Sequence, residues 1–241
     1  MSPSRRANAR AKGARIPYQI VRFLIWLVAK LYWRVTFEGL DKVPRNGPFV
    51  LAPVHRSFID FGLVSAVTRR RMGYMGKESL WNSKLLGSFI TMLGAYPVNR
   101  GAPDRDALRR TLALLETGEP LVLFPEGTRR TGPVIEHLHE GAAFVASRAG
   151  VPLVPVGIGG SERALPKGKA VPRPVKIHIL VGDPLYPAPL AEGARHPSRR
   201  AVKELTLRLQ GVLQDLFDRA QRRAGVDIPV NQSSGPDVSP M

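Results

Sequence analysis

The chain has 241 residues and 44% hydrophobic content, which suits one α/β domain with an ordinary core and short extensions. It has no cysteine, so disulfides, thiolate zinc sites and cysteinyl thioester intermediates are excluded, and a reducing compartment fits. Lysine and arginine number 36 against 19 acidic residues, a formal charge of +17; this suits an anionic partner (membrane surface, nucleic acid or phosphorylated substrate) or a merely solvated basic surface, and bears on association rather than fold.

Residues 1–15 carry Arg5, Arg6, Arg10, Lys12 and Arg15 among small residues and read as a basic disordered arm. They lack the apolar core and cleavage site of a secretory signal. Residues 16–34 read IPYQIVRFLIWLVAKLYWR, and their longest uncharged run is Phe23 to Ala29. That run is far below the roughly 20 apolar residues of a spanning helix. On a helical wheel Arg15, Gln19, Arg22, Lys30 and Arg34 share one narrow arc. The rest is apolar, and Trp26 and Trp33 lean toward the basic side. The pattern predicts an amphipathic helix lying in a membrane interface. The alternative is a helix packed on the core with its basic edge solvated.

From Val35 onward strand and helix patterns alternate, which predicts one α/β sheet domain. Strands are expected at 49–52, 72–75, 95–98, 121–124, 153–158 and 175–181, and helices at 61–68, 83–92, 103–116 and 141–149. Pro155 interrupts the fifth strand, so an edge or bulged position is expected there. Ser198 is placed to cap a last helix running to about Arg223, with Val202, Leu205, Leu209, Val212, Leu213, Leu216 and Ala220 along its apolar face. The Pro-, Ser- and Asn-rich residues 224–241 read as a disordered tail.

Two polar motifs follow apolar strands. The first is His55-Arg56-Ser57-Phe58-Ile59-Asp60 and the second Phe124-Pro125-Glu126-Gly127-Thr128-Arg129. On one continuous helix His55 and Asp60 would diverge by about 140°. A turn between them can bring the carboxylate back to the imidazole and leave the other ring nitrogen as a general base. Alone, the spacing fits a polar turn with a helix-capping aspartate better than a catalytic pair. In the second motif Gly127 permits close backbone approach, Thr128 can donate a hydrogen bond, and Arg129 can clamp a phosphate. Motifs at the carboxyl ends of two strands can converge on one crevice.

With two further blocks these motifs resemble the lysophosphatidate (1-acylglycerol-3-phosphate) O-acyltransferase family. Gly94-Ala95-Tyr96-Pro97-Val98-Asn99-Arg100 resembles the family's second block, and Val151-Pro152-Leu153-Val154-Pro155-Val156 its fourth. Lys77-Glu78-Ser79-Leu80-Trp81 matches a weaker lysine-containing segment. The resemblance spans roughly residues 35–185. Two positions depart from the family pattern. Val54 stands where asparagine is common, and Leu138-His139-Glu140-Gly141 where Phe-Lys-x-Gly is common.

The resemblance implies a single mixed-sheet α/β domain over residues 35–223 behind the interface helix. It implies transfer of an acyl group from a CoA or carrier-protein thioester to lysophosphatidic acid, making phosphatidic acid. His55 would be the base and Asp60 its orienting carboxylate, with Lys77, Arg100, Glu126, Gly127, Thr128 and Arg129 on the acceptor; Glu126 would hold an arginine or a glycerol hydroxyl. No metal or bound cofactor is expected. The expected location is the cytoplasmic face of the cell membrane, peripheral or monotopic. Glycerol 3-phosphate, another lysophospholipid or a glycolipid would serve the same chemistry as acceptor. A nucleic-acid role rests on charge alone and is not expected, because no binding motif or aromatic interleaving accompanies it. A lipid hydrolase would need a nucleophile elbow, and Gly-x-Ser-x-Gly is absent.

Overall fold

The structure, a computed structural model, describes residues 15–92, 94–98 and 105–227. Arg100 lies outside the described residues, as do most of the predicted arm and tail. In chain order the elements are α1 (Arg15–Leu31), β1 (Thr36–Glu38), β2 (Val50–Pro53), α2 (Asp60–Val64), β3 (Gly73–Lys77), α3 (Lys84–Met92), β4 (Ala95–Val98), α4 (Arg105–Glu116), β5 (Leu121–Val122), α5 (Gly141–Ala149), β6 (Leu153–Gly159), α6 (Ser161–Ala164), β7 (His178–Val181) and α7 (Arg199–Arg223).

Among the described residues the strands form one sheet, in the order β1-β7-β6-β2-β5-β3-β4. From β6 to β4 all neighbours are parallel; β7 runs antiparallel to β6, and β1 parallel to β7. The expected single mixed sheet is therefore present. Its middle strands read as uninterrupted apolar runs because both faces are covered. Along β2, Phe49 and Leu51 join the core on the side of α1 and α2, while Val50, Ala52 and Val54 join the core against α4, α5 and α7. Helix α7 lies directly on β6, where a Cβ on Gly157 or Gly159 would overlap the carbonyls of Leu216 and Ala220. Its expected apolar face is buried except for Val212, which is half-buried, and the Ser198 hydroxyl accepts from the Ala201 N–H at 3.1 Å.

Pro155 occupies a different setting from the expected edge. β6 is central and every residue of it is buried. The proline is tolerated because the β6–β7 ladder breaks there. Its carbonyl still accepts from Gly182 N at 3.0 Å. Between the Val156–Val181 pair and the Leu153–Leu185 bridge, two residues of β6 face three of its partner. That is the bulged alternative, with the missing N–H falling at the bulge.

Helix α1 ends at Leu31, so Trp33 does not lie on its basic side. Trp33 is buried in the core and its indole donates to Arg173 O at 3.1 Å. Tyr18 and Ala29 pack inward, whereas Ile20, Phe23, Leu24, Val28 and Leu31 are exposed. The apolar arc thus splits: one strip packs on the domain, and a second faces outward beside the basic arc. Gln19 donates to Arg69 O at 3.0 Å near one end, and Tyr32 to Pro172 O at 2.8 Å beyond the other. Among the described residues no helix is long and apolar enough to cross a membrane.

Candidate active site

Parallel pairing puts the carboxyl ends of β2 and β5 side by side, with Val50 opposite Leu121 and Leu51 opposite Val122. His55 follows β2 and Phe124 follows β5. The two motifs are joined by a backbone hydrogen bond from Arg130 N to His55 O, 3.0 Å. On the other flank of β2, the fourth block runs into β6, where Pro53 pairs with Val156. Lys77 is the last residue of β3, at the same carboxyl edge of the sheet as the end of β5.

The chain turns after β2 so that Asp60, at the start of α2, comes back to His55. His55 Nδ1 and Asp60 Oδ2 are 3.1 Å apart, and both side chains are buried. The same oxygen accepts the Arg56 N–H at 2.8 Å and the Ser57 N–H at 2.7 Å. Three donors thus converge on one carboxylate oxygen. An ionised carboxylate only accepts, so Nδ1 carries the proton and Nε2 the lone pair. The imidazole is held between Phe124, 4.1 Å between centroids, and Phe61, which meets it edge-on at 5.3 Å. This arrangement can remove a proton from a hydroxyl and bear the resulting positive charge.

The second motif is a turn whose residues divide by direction. Gly127 and Thr128 are exposed and Arg129 is half-buried; among the described residues Arg129 makes no ion pair. Gly127 adopts φ +68°, and His139 rests against it so closely that a Cβ there would stand 2.6 Å from the ring. Glu126 points inward. It forms an ion pair with Arg56, and its Oε1 accepts the His55 N–H at 3.1 Å. Glu126 thus holds an arginine, one of the two partners expected for it. Burial pushes its pKa up, against the opposing pull of Arg56 and His55. Arg56 is a site residue to which the sequence pattern attached no role. Nothing in a six-residue motif signals that its arginine turns inward.

An apolar cavity of about 520 Å³ opens beside the dyad. Leu24, Ile25 and Val28 of α1 form one wall, Phe58 and Phe61 another, and Tyr74 and Ile90 line it from β3 and α3. Phe61 belongs to both the cavity and the imidazole slot. The volume is in the range of ligand pockets, about 300–1,000 Å³. Among the described residues no cluster of histidine and carboxylate side chains is suited to a metal ion.

The fold is a mixed α/β sheet with a buried His–Asp pair at the end of a central strand. The chain belongs to the acyltransferase family, whose model matches residues 34–159, and it is an O-acyltransferase. The resemblance read from the motifs is borne out. The chain is 29% identical over 203 residues to the 1-acyl-sn-glycerol-3-phosphate acyltransferase of Bacillus subtilis (strain 168), covering 84% of this chain and 98% of that protein. It is 27% identical over 164 residues to the lyso-ornithine lipid O-acyltransferase of Pseudomonas aeruginosa, covering 67% of this chain and 62% of that one. The crystal structure of the 1-acyl-sn-glycerophosphate acyltransferase from Thermotoga maritima shares the fold, with a TM-score of 0.73 at 23% identity over 87% of this chain and 82% of that one.

Proposed function

We propose that this enzyme is a 1-acyl-sn-glycerol-3-phosphate acyltransferase. It moves an acyl group from a CoA or carrier-protein thioester to the free hydroxyl of lysophosphatidic acid, giving phosphatidic acid and a free thiol. The carrying observation is the buried Nδ1–Oδ2 contact of His55 and Asp60, hydrogen-bonded through the backbone to the loop that bears Arg129. Nε2 of His55 takes the hydroxyl proton as that oxygen attacks the thioester carbonyl. Asp60 stabilises the imidazolium, which then returns the proton to the leaving thiolate. Arg129 meets the acceptor phosphate, with Gly127 and Thr128 beside it, and Lys77 and Arg100 also contribute. The cavity behind Phe61 takes an acyl chain. The reaction uses no metal or bound cofactor.

Both the acceptor and the product are anionic amphiphiles. The exposed strip of α1, with its basic border, supports peripheral or monotopic attachment to the cytoplasmic face of the cell membrane. Each basic residue near an anionic leaflet contributes about 1 kcal/mol there. Nucleic acid is not a partner in this reading.

The test is acyl transfer to lysophosphatidate by the purified protein and by a folded His55→Ala variant. Turnover of that variant at the parent rate refutes the mechanism. The similarity to a lyso-ornithine lipid enzyme supports a second reading, the same chemistry on a phosphate-free lysolipid. An acceptor panel separates the two. Under the first reading Arg129→Ala loses activity with lysophosphatidate and keeps it with phosphate-free acceptors.

A further inference from the structure

Arg56 is the bulkiest of the fully buried side chains, with 1% of its surface exposed. An arginine is costly to bury unless its donors are matched. Here Nε donates to Gly132 O at 3.2 Å and Nη2 to Val134 O at 3.1 Å, while Nη1 faces Glu126 Oε2. The guanidinium lies 4.8 Å over the Phe217 ring of α7. Glu126 is as fully committed, with one oxygen on Arg56 and the other on the His55 N–H. It is 2% exposed, so an incoming lipid does not reach it.

Stability alone does not account for the pair, since well-packed apolar residues often replace a buried ion pair without loss. An apolar pair, however, has no acceptor for the His55 N–H. Nor has it a fork that grips two carbonyls of the segment just beyond Arg129. A lysine would supply the charge without that fork.

We propose that Glu126 and Arg56 are positioning residues for the acyl-transfer base. Glu126 fixes the backbone that carries the imidazole, and Arg56 fixes Glu126 and braces residues 132–134 against α7. The base and Arg129 therefore keep one spacing, and neither member of the pair touches the acceptor. This inference rests on the reading of His55 as the base.

Steady-state kinetics of Glu126→Asp, Glu126→Gln, Arg56→Lys and Arg56→Met test it. A displacement of the base near 1 Å costs about 10²-fold in kcat, and that loss is expected for Glu126→Asp with the KM for lysophosphatidate nearly unchanged. Arg56→Lys retains more activity than Arg56→Met. In Glu126→Gln the amide oxygen can still accept the His55 N–H, and the loss is expected in kcat with the KM for lysophosphatidate nearly unchanged. If a single variant fails to fold, the double variant Arg56→Met with Glu126→Gln leaves neither partner as a lone buried charge and keeps an oxygen for the His55 N–H. It is expected to fold with a lowered kcat and the parent KM. A raised acceptor KM with intact kcat overturns the proposal and makes Glu126 a substrate ligand, and unchanged kcat also overturns it. His55→Ala is measured alongside: activity retained in that variant defeats the base reading itself.

Discussion

One oxygen of Asp60 serves His55 and the turn that presents it. Oδ2 accepts from the ring at 3.1 Å and from the N–H groups of Arg56 and Ser57 at 2.8 and 2.7 Å. Orientation of the base and closure of the 55–60 turn are thus one interaction.

Asp60→Asn should therefore be milder than the same change in a serine protease triad. An amide can put its oxygen where Oδ2 stands, satisfy all three donors and keep the His55 tautomer. What it loses is the charge that stabilises the imidazolium. We expect kcat to fall about 10²-fold, short of the roughly 10⁴-fold that a wrong tautomer costs. Asp60→Ala, which also strands two buried N–H groups, should lose more activity and some stability. Equal kcat for the two variants would count against this account.

Gly127 answers two constraints at once, φ +68° and the His139 ring. Gly127→Ala should destabilise the fold by both. Adding His139→Ala removes the collision and leaves only the left-handed backbone, a cost of about 1–2 kcal/mol. Denaturant unfolding of the two variants measures the difference. A double variant no more stable than the single one shows that the ring contact is unimportant.

His178 gives folding a dependence on pH. Burial is the main cause of its lowered pKa; Arg223 and Lys176 press the same way, and Glu38, 3.6 Å away, opposes them. Thr36 Oγ1 meets its other nitrogen at 2.7 Å. A lowered folded-state value means the unfolded chain binds the proton more readily. The contribution is present above the ordinary value of 6.5 and lost as pH falls through the folded value. His178→Asn should shrink the stability difference between about pH 7.5 and 5.5. An undiminished difference assigns the acid sensitivity to other groups.

For the membrane, Phe23→Asp and Leu31→Asp remove exposed apolar surface from α1 without touching its packed strip. A buried apolar side chain contributes roughly 1.5–3 kcal/mol. Each change should weaken binding to anionic vesicles about tenfold or more, with turnover of micellar substrate preserved. Unaltered vesicle binding would show that another face makes the contact.

How far the fold could be read from the chain depended on burial. β2 and β6 were visible because both of their faces are covered, and α7 because Ser198 and its apolar spacing mark its start and its face. β1 was not foreseen, being one exposed and two half-buried residues without an apolar run. The helix expected over 61–68 is shorter, and the strand expected from Val175 starts at His178. Trp33 was assigned to the wrong side because helical spacing was carried past Leu31, where the chain has already left the helix. In the site, the approach of His55 to Asp60 follows from motif spacing and a turn. The inward pairing of Arg56 with Glu126 joins residues 70 apart and depends on how two loops meet, which local pattern does not encode.

The attachments of α1 to the 69–70 and 172–173 segments change what that helix does. A tether held at one point sets only distance. A rod pinned near both ends acts as a keel and fixes attitude. Whatever surface the exposed strip rests on, the domain meets it at one tilt and one depth, and the mouth of the cavity that α1 helps to wall turns with it.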